Sequence, residues 1–183
     1  MKKFALLIFI CLCINLFSQK NIIQDLKIVD YELISNNKIE IKSYATLDKK
    51  GNLTVYSDSW DGKNYFQYTL TSEEINKLNS LSGKNIESFV KQKQLNRNEY
   101  FAGNPRFISY KSSGKVYSLC FIEPFMNNEF MEILKILNSK IYKHDETAKI
   151  QMQTNDFEKV EIEIIERSKV DNYLPTKAVI IQN

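Results

Sequence analysis

A chain of 183 residues, 43% hydrophobic and 26% charged, is long enough to bury one ordinary core. Its formal net charge of +3 is too small to pull it toward nucleic acid or an anionic membrane. Of its three cysteines, Cys11 and Cys13 fall in the first apolar run, so Cys120 and the single histidine His144 are left, too few for a zinc site of the common Cys/His type. No metal or cofactor is expected.

Lys2 and Lys3 open the chain, and an apolar run follows from Phe4 to Phe17, interrupted only by Asn15. Ser18 and Gln19 then lead into Lys20 and Asn21. This order predicts a secretory signal peptide over 1–19, cleaved after Ser18 or Gln19. The run falls short of the about 20 apolar residues of a membrane span, so no stable span is expected after cleavage; an uncleaved anchor is the alternative. Ile10 and Leu12 precede the two leader cysteines where a lipid-attachment signal has a small residue, which argues against lipid anchoring. The Phe17-Ser18-Gln19 ending resembles bacterial export signals, and the expected destination is the periplasm or the exterior of a bacterium. Lys2 and Lys3 are two of the 25 bases, so the chain beyond the leader carries 23 bases against 22 acids, or +1. With Cys120 alone, no internal disulfide is expected.

Residues 20–183 read as a single domain, because the five glycines and three prolines form no linker. Leu26 to Ile34 reads as a strand with Val29, Tyr31 and Leu33 on one face. Asn36-Asn37 is a turn, and Lys38 to Ala45 alternates with Ile39 and Ile41 on its dry side. Leu53, Val55 and Ser57 alternate with Thr54, Tyr56 and Asp58, and Asp61-Gly62 marks a hairpin into the strand 64–70. Thr71-Ser72-Glu73-Glu74 is a capping box, flanked by Leu70 and Ile75 as a hydrophobic staple, and opens a helix that runs to about 82. Residues 84–104 admit either a short helix around Ile86, Phe89 and Val90 or an irregular loop. Arg106 to Lys111 and Val116 to Ile122 form a hairpin around Ser113-Gly114. Asn127 or Asn128 caps a second helix, 127–142, whose apolar face carries Phe130, Ile133, Leu134, Leu137 and Ile141. Beyond it, Ala148 to Gln153 and Val160 to Glu166 alternate as strands, and 178–181 is a short apolar run. The predicted class is α+β: a mainly antiparallel sheet built from hairpins, with two principal helices, about 71–82 and 127–142, packed on it. Residues 145–183 read as a less tightly attached C-terminal β segment.

Chemistry is sparse. His144 reads as a solvated residue past a helix end. A Ser–His–Asp arrangement around it is formally open, but no Gly-x-Ser-x-Gly elbow accompanies it. Cys120, between Leu119 and Phe121, reads as a buried small hydrophobe. The pairs Asp58/Asp61, Glu73/Glu74, Asp145/Glu146 and Glu161/Glu163 are available for carboxylate catalysis. Capping explains Glu73 and Glu74, the hairpin turn explains Asp61, and the wet face of a strand explains Glu161 and Glu163. Ser57 to Gly62 has the look of a calcium loop, but Tyr68 stands where its twelfth position requires Glu.

The hairpin-then-helix stretch Leu53–Leu81, with Tyr68-Thr69-Leu70-Thr71-Ser72-Glu73-Glu74 followed by Leu78 and Leu81, resembles a unit of small exported bacterial domains and some protease inhibitors. It is mostly capping physics and specifies no family. Aromatic residues carry the remaining signal. Trp60 sits at a turn, and Tyr100 and Phe101 sit in a loop, where recognition surfaces are built. The expectation is an exported, non-catalytic domain that binds a protein, peptide or glycan through Trp60, Tyr100 and Phe101, and not nucleic acid. The alternative is a small secreted hydrolase with carboxylate or Ser/His chemistry.

Overall fold

The computed structural model describes residues 23–35, 37–60, 62–97, 99–151, 153, 157–171 and 173–174. The leader and its cleavage point, Asn36, Asp61 and the run 178–181 lie outside the described residues. β1 (Gln24–Ser35), β2 (Lys38–Leu47), β3 (Asn52–Ser59) and β4 (Gly62–Thr69) form a meander. β5 (Arg106–Ser112) and β6 (Lys115–Phe121) form a hairpin that joins the sheet beside β1. The two-residue β7 (Lys149–Ile150) pairs with β4. The order is β6-β5-β1-β2-β3-β4-β7, with every neighbour antiparallel. The architecture is α+β, as the sequence pattern predicts.

Alternation gives the sheet two dry faces. One presents Leu26, Ile28, Val55, Phe66, Ile108 and Phe121 to α1 (Ser72–Leu78) and α2 (Asn128–Ile141). Thr71 accepts from the Glu74 amide at 3.2 Å while the Glu74 carboxylate accepts from the Thr71 amide at 2.8 Å, so the predicted capping box starts α1. The helix tightens into a 3-10 turn, Asn79–Leu81. Asn127 caps α2 through the Phe130 amide at 3.0 Å. The five predicted apolar residues of α2 are all buried, each adding about 1.5–3 kcal/mol by leaving water.

The opposite face gathers Val29, Tyr31, Ile39, Ile41, Tyr56, Tyr65, Phe107 and Cys120 under a third helix, α3 (Phe157–Ser168). This corrects the predicted strand Val160 to Glu166. A strand and a helix both align Val160 with Ile164, which are buried here. The difference is Ile162, which a strand would bury and which stands 52% exposed. Glu and Lys favour the helix once it is packed. Glu161 and Glu163 therefore do not line a strand, and Glu163 holds Lys27 of β1 at 2.6 Å. The predicted strand 148–153 contracts to β7 after a 3-10 turn, Glu146–Ala148. Among the described residues of the segment 84–104 there is one 3-10 turn, Ile86–Phe89, which buries Ile86 and Phe89.

One irregularity positions the site. Asp30 pairs with Ser43 but Tyr31 pairs with Ile41, so Lys42 is an extra residue, a bulge. Ile39 and Ile41 face α3, whereas Ala45 faces α1 and α2. The bulge thus switches the phase of β2 and brings Ser43 to the α2 side, beside Asp30.

Candidate functional site

At one end of the α2-covered face the core gives way to a polar cavity of about 490 Å³. Strands β1, β2, β3 and β5 contribute Asp30, Ser43, Ser57 and Arg106 to it, and the end of α2 contributes Asn138 and Tyr142. Such groups are costly to remove from water unless they are bonded.

Arg106 organises the cavity. It starts β5 and is 2% exposed, which for a guanidinium demands partners. Its Nε donates to Asp30 Oδ1 at 2.5 Å, and Nη1 donates to Glu123 Oε1 at 2.6 Å and to Asn138 Oδ1 at 2.9 Å. Its buried Nη2 has no hydrogen-bond partner among the described residues. Burial opposes the guanidinium charge, but Asp30, Tyr142 and Glu123 outweigh it and push its pKa up. Asp30 Oδ2 accepts from Ser43 Oγ at 3.0 Å and from the Tyr142 hydroxyl. Burial raises the Tyr142 pKa; Arg106 pulls against that and Asp30 adds to it. Asn138 and Tyr142 reach the same cluster because residues four apart share a helix face. Asn138 Nδ2 also donates to Glu123 Oε1 at 3.3 Å.

His144, half-buried just past the end of α2, lies at the same cavity. The chain turns through a left-handed conformation there, with φ 48°. The ring sits 5.6 Å from that of Phe66, and Nε2 comes within 3.5 Å of Ser57 Oγ. Asp58 and Ser59 also line the wall. Asp58 has Lys63 at 3.9 Å and accepts from the Tyr56 hydroxyl at 3.4 Å. Lys42, at the bulge, pairs with Glu40 at 2.9 Å and Glu32 at 3.3 Å.

Trp60 follows Ser59 at the β3–β4 turn and is 99% exposed. Phe101 and Asn104 approach the cavity from the loop before β5. Phe101 is half-buried, its ring so close to Gly103 that a Cβ there would lie 2.6 Å from it. Tyr100 is 87% exposed and lines a separate shallow cavity with Lys91 and Pro124. The structure therefore brings Phe101 and the strand leading to Trp60 to one cavity and leaves Tyr100 outside it. Cys120 is fully buried, where burial pushes its thiol up to about 12. Glu73 and Glu74 serve the start of α1, away from this cavity.

Asp30, Arg106, Glu123, Asn138 and Tyr142 escaped the sequence reading. The available signal was Asp30, a charge between Val29 and Tyr31 on a strand with two buried faces. Among the described residues no group of three or more His, Cys, Asp or Glu is placed to hold a metal ion. No described helix is long and apolar enough to cross a membrane. No family model matches the chain, and no curated protein or solved structure matches it.

Proposed function

We propose that this chain is an exported, non-catalytic binding domain whose partner reaches the polar cavity across Trp60. The observation that supports the reading is the 99% exposed indole of Trp60, the residue that follows Ser59 of the cavity wall in the chain. A tryptophan left in water contributes nothing to the core, and large rigid aromatics are the side chains that most often anchor a partner. The cavity volume lies within the about 300–1,000 Å³ of small-molecule sites.

The Ser57–His144 approach at 3.5 Å favours a second reading, a hydrolase in which His144 would take the proton of a nucleophilic Ser57. A base in that role is oriented by a third group. Among the described residues no carboxylate is hydrogen-bonded to His144, and binding is the better-supported function.

The test is capture from a bacterial envelope fraction by wild-type protein, Trp60→Ala and the control Ile162→Ala, which alters an exposed residue of α3. Melting is measured on the same samples. Trp60→Ala should melt with the wild type yet bind roughly 30-fold more weakly, the effect of an anchor worth about 2 kcal/mol. Equal recovery by all three proteins would refute the role of Trp60. Turnover of a fluorogenic ester that disappears in folded Ser57→Ala and His144→Ala would establish the hydrolase instead.

A further inference from the structure

We infer that the cavity seats a neutral carbohydrate, with Trp60 as the platform at its mouth; this rests on the reading of the cavity as the binding site. The charged side chains around the cavity are paired within the protein. Glu123 is paired with Arg106, Asp58 faces Lys63, and Lys42 is paired with Glu40 and Glu32. An anionic ligand would find Arg106 and Lys42 already paired with carboxylates. A neutral ligand leaves these pairs intact.

The wall is also preorganised. Arg106 Nη1 and Asn138 Nδ2 both bond the same oxygen of Glu123, Oε1. Among the described residues Oε2 receives no hydrogen bond, and the side chain is 35% exposed. Glu123 is thus a fixed acceptor with one oxygen open. Asp30, itself held by Ser43 and Tyr142, fixes the guanidinium behind it. A contacting group locked by a supporting layer is how binding geometry is held. Arg106 Nη2, buried and without a hydrogen-bond partner among the described residues, leaves one donor of that layer unsatisfied.

The wall mixes hydrogen-bond donors and acceptors. Asn104 and Ser57 offer donors as well as acceptors, and Asp58 and Glu123 offer acceptors. A sugar hydroxyl is both donor and acceptor, so it suits a mixed wall. A pyranose also presents a face of C–H groups, which stacks on an exposed indole. An anionic ligand would meet Asp58 and Glu123. An apolar ligand would leave the polar wall unpaired.

Trp60 is the only tryptophan of the chain, so tryptophan fluorescence reports on that position alone. The protein is titrated with neutral oligomers: β-1,4-glucan, α-1,4-glucan, β-1,4-xylan, α-mannan and N-acetylglucosamine chains. Polygalacturonate, a lysine-rich peptide and a neutral peptide complete the panel. We expect at least one neutral oligosaccharide to shift the emission to the blue and shield it from acrylamide. Calorimetry should then show at least tenfold weaker binding by Trp60→Ala, Asn104→Ala and Glu123→Gln. Asn104→Ala keeps the test decisive should Glu123→Gln disturb folding. A shift with polygalacturonate alone would overturn the neutrality of the ligand, and a shift with a peptide alone would overturn the carbohydrate class; either would leave the cavity as the site. Oligosaccharide binding that survives all three substitutions would overturn the cavity as well. Silence across the whole panel would overturn the carbohydrate inference.

Discussion

Removing the Asp30 carboxylate should cost more stability than any other single polar substitution in the cavity. Asp30 is 5% exposed and Arg106 2%. Asp30→Ala takes away the Nε partner at 2.5 Å and the acceptor of both Ser43 and Tyr142. Glu123 and Asn138 still hold Nη1, but the inner edge of the guanidinium is left without compensation. Breaking a buried pair by deleting one partner costs about 3–5 kcal/mol, mostly from the stranded charge. That is a large share of the about 5–15 kcal/mol typical of a domain. Urea denaturation reads it as a lower midpoint at constant slope. Asp30→Ala/Arg106→Met should recover much of the loss, because no charge remains to strand and Glu123 retains access to water. A loss under about 0.5 kcal/mol for Asp30→Ala, the level of a surface site, would refute this account of the cluster. So would a double variant no more stable than the single one.

Thr71→Ala should cost about 1 kcal/mol, the usual loss of an N-cap, and an unchanged urea midpoint would mean that the Thr71–Glu74 box is idle. Leu134→Ala and Leu137→Ala, both at 0% exposure, should each cost about 2–5 kcal/mol; equilibrium unfolding that barely moves would place α2 outside the cooperative core. Burial pushes the Cys120 thiol and the Tyr56 and Tyr110 phenols up to about 12. Their unfolded counterparts release protons from about pH 8.5 and 10. Because the folded values are raised, their contribution is whole below the unfolded values and fades as pH climbs toward 12. Urea midpoints should therefore fall between pH 8.5 and 12, and at pH 8 a thiol reagent should label Cys120 of the leaderless protein only after denaturant is added. Prompt labelling of the native protein would contradict the burial of Cys120.

What was legible in the sequence was local. The Thr71–Glu74 bonds span three residues, and the Asn127 cap reaches Phe130, also three away. Strand alternation and the Ser113-Gly114 turn, with φ 49° and 78°, are likewise short-range. α3 was misread because Val160 and Ile164 satisfy two periods at once, and only packing against β2 and β6 decides between them. The cavity was illegible for a different reason. Its bonds join residues 76 and 112 positions apart, Arg106 and Tyr142 to Asp30, and Ser57 meets His144 across 87. Nothing in a strand pattern announces that the extra residue Lys42 will turn Ser43 toward Asp30. Turn position did point to exposed aromatics at Trp60 and Tyr100, whereas Phe101 folds halfway back onto its own loop beside Gly103.

The most direct test of the binding site follows the one indole N–H cross-peak of Trp60, together with the backbone amides of residues 57–59 and 101–104, during titration with a bound oligosaccharide or captured partner. The account predicts that these signals move together, along one binding curve, while those of α3 on the opposite face stay fixed. Saturable binding that moves other signals and leaves Trp60 and residues 57–59 unchanged would contradict it.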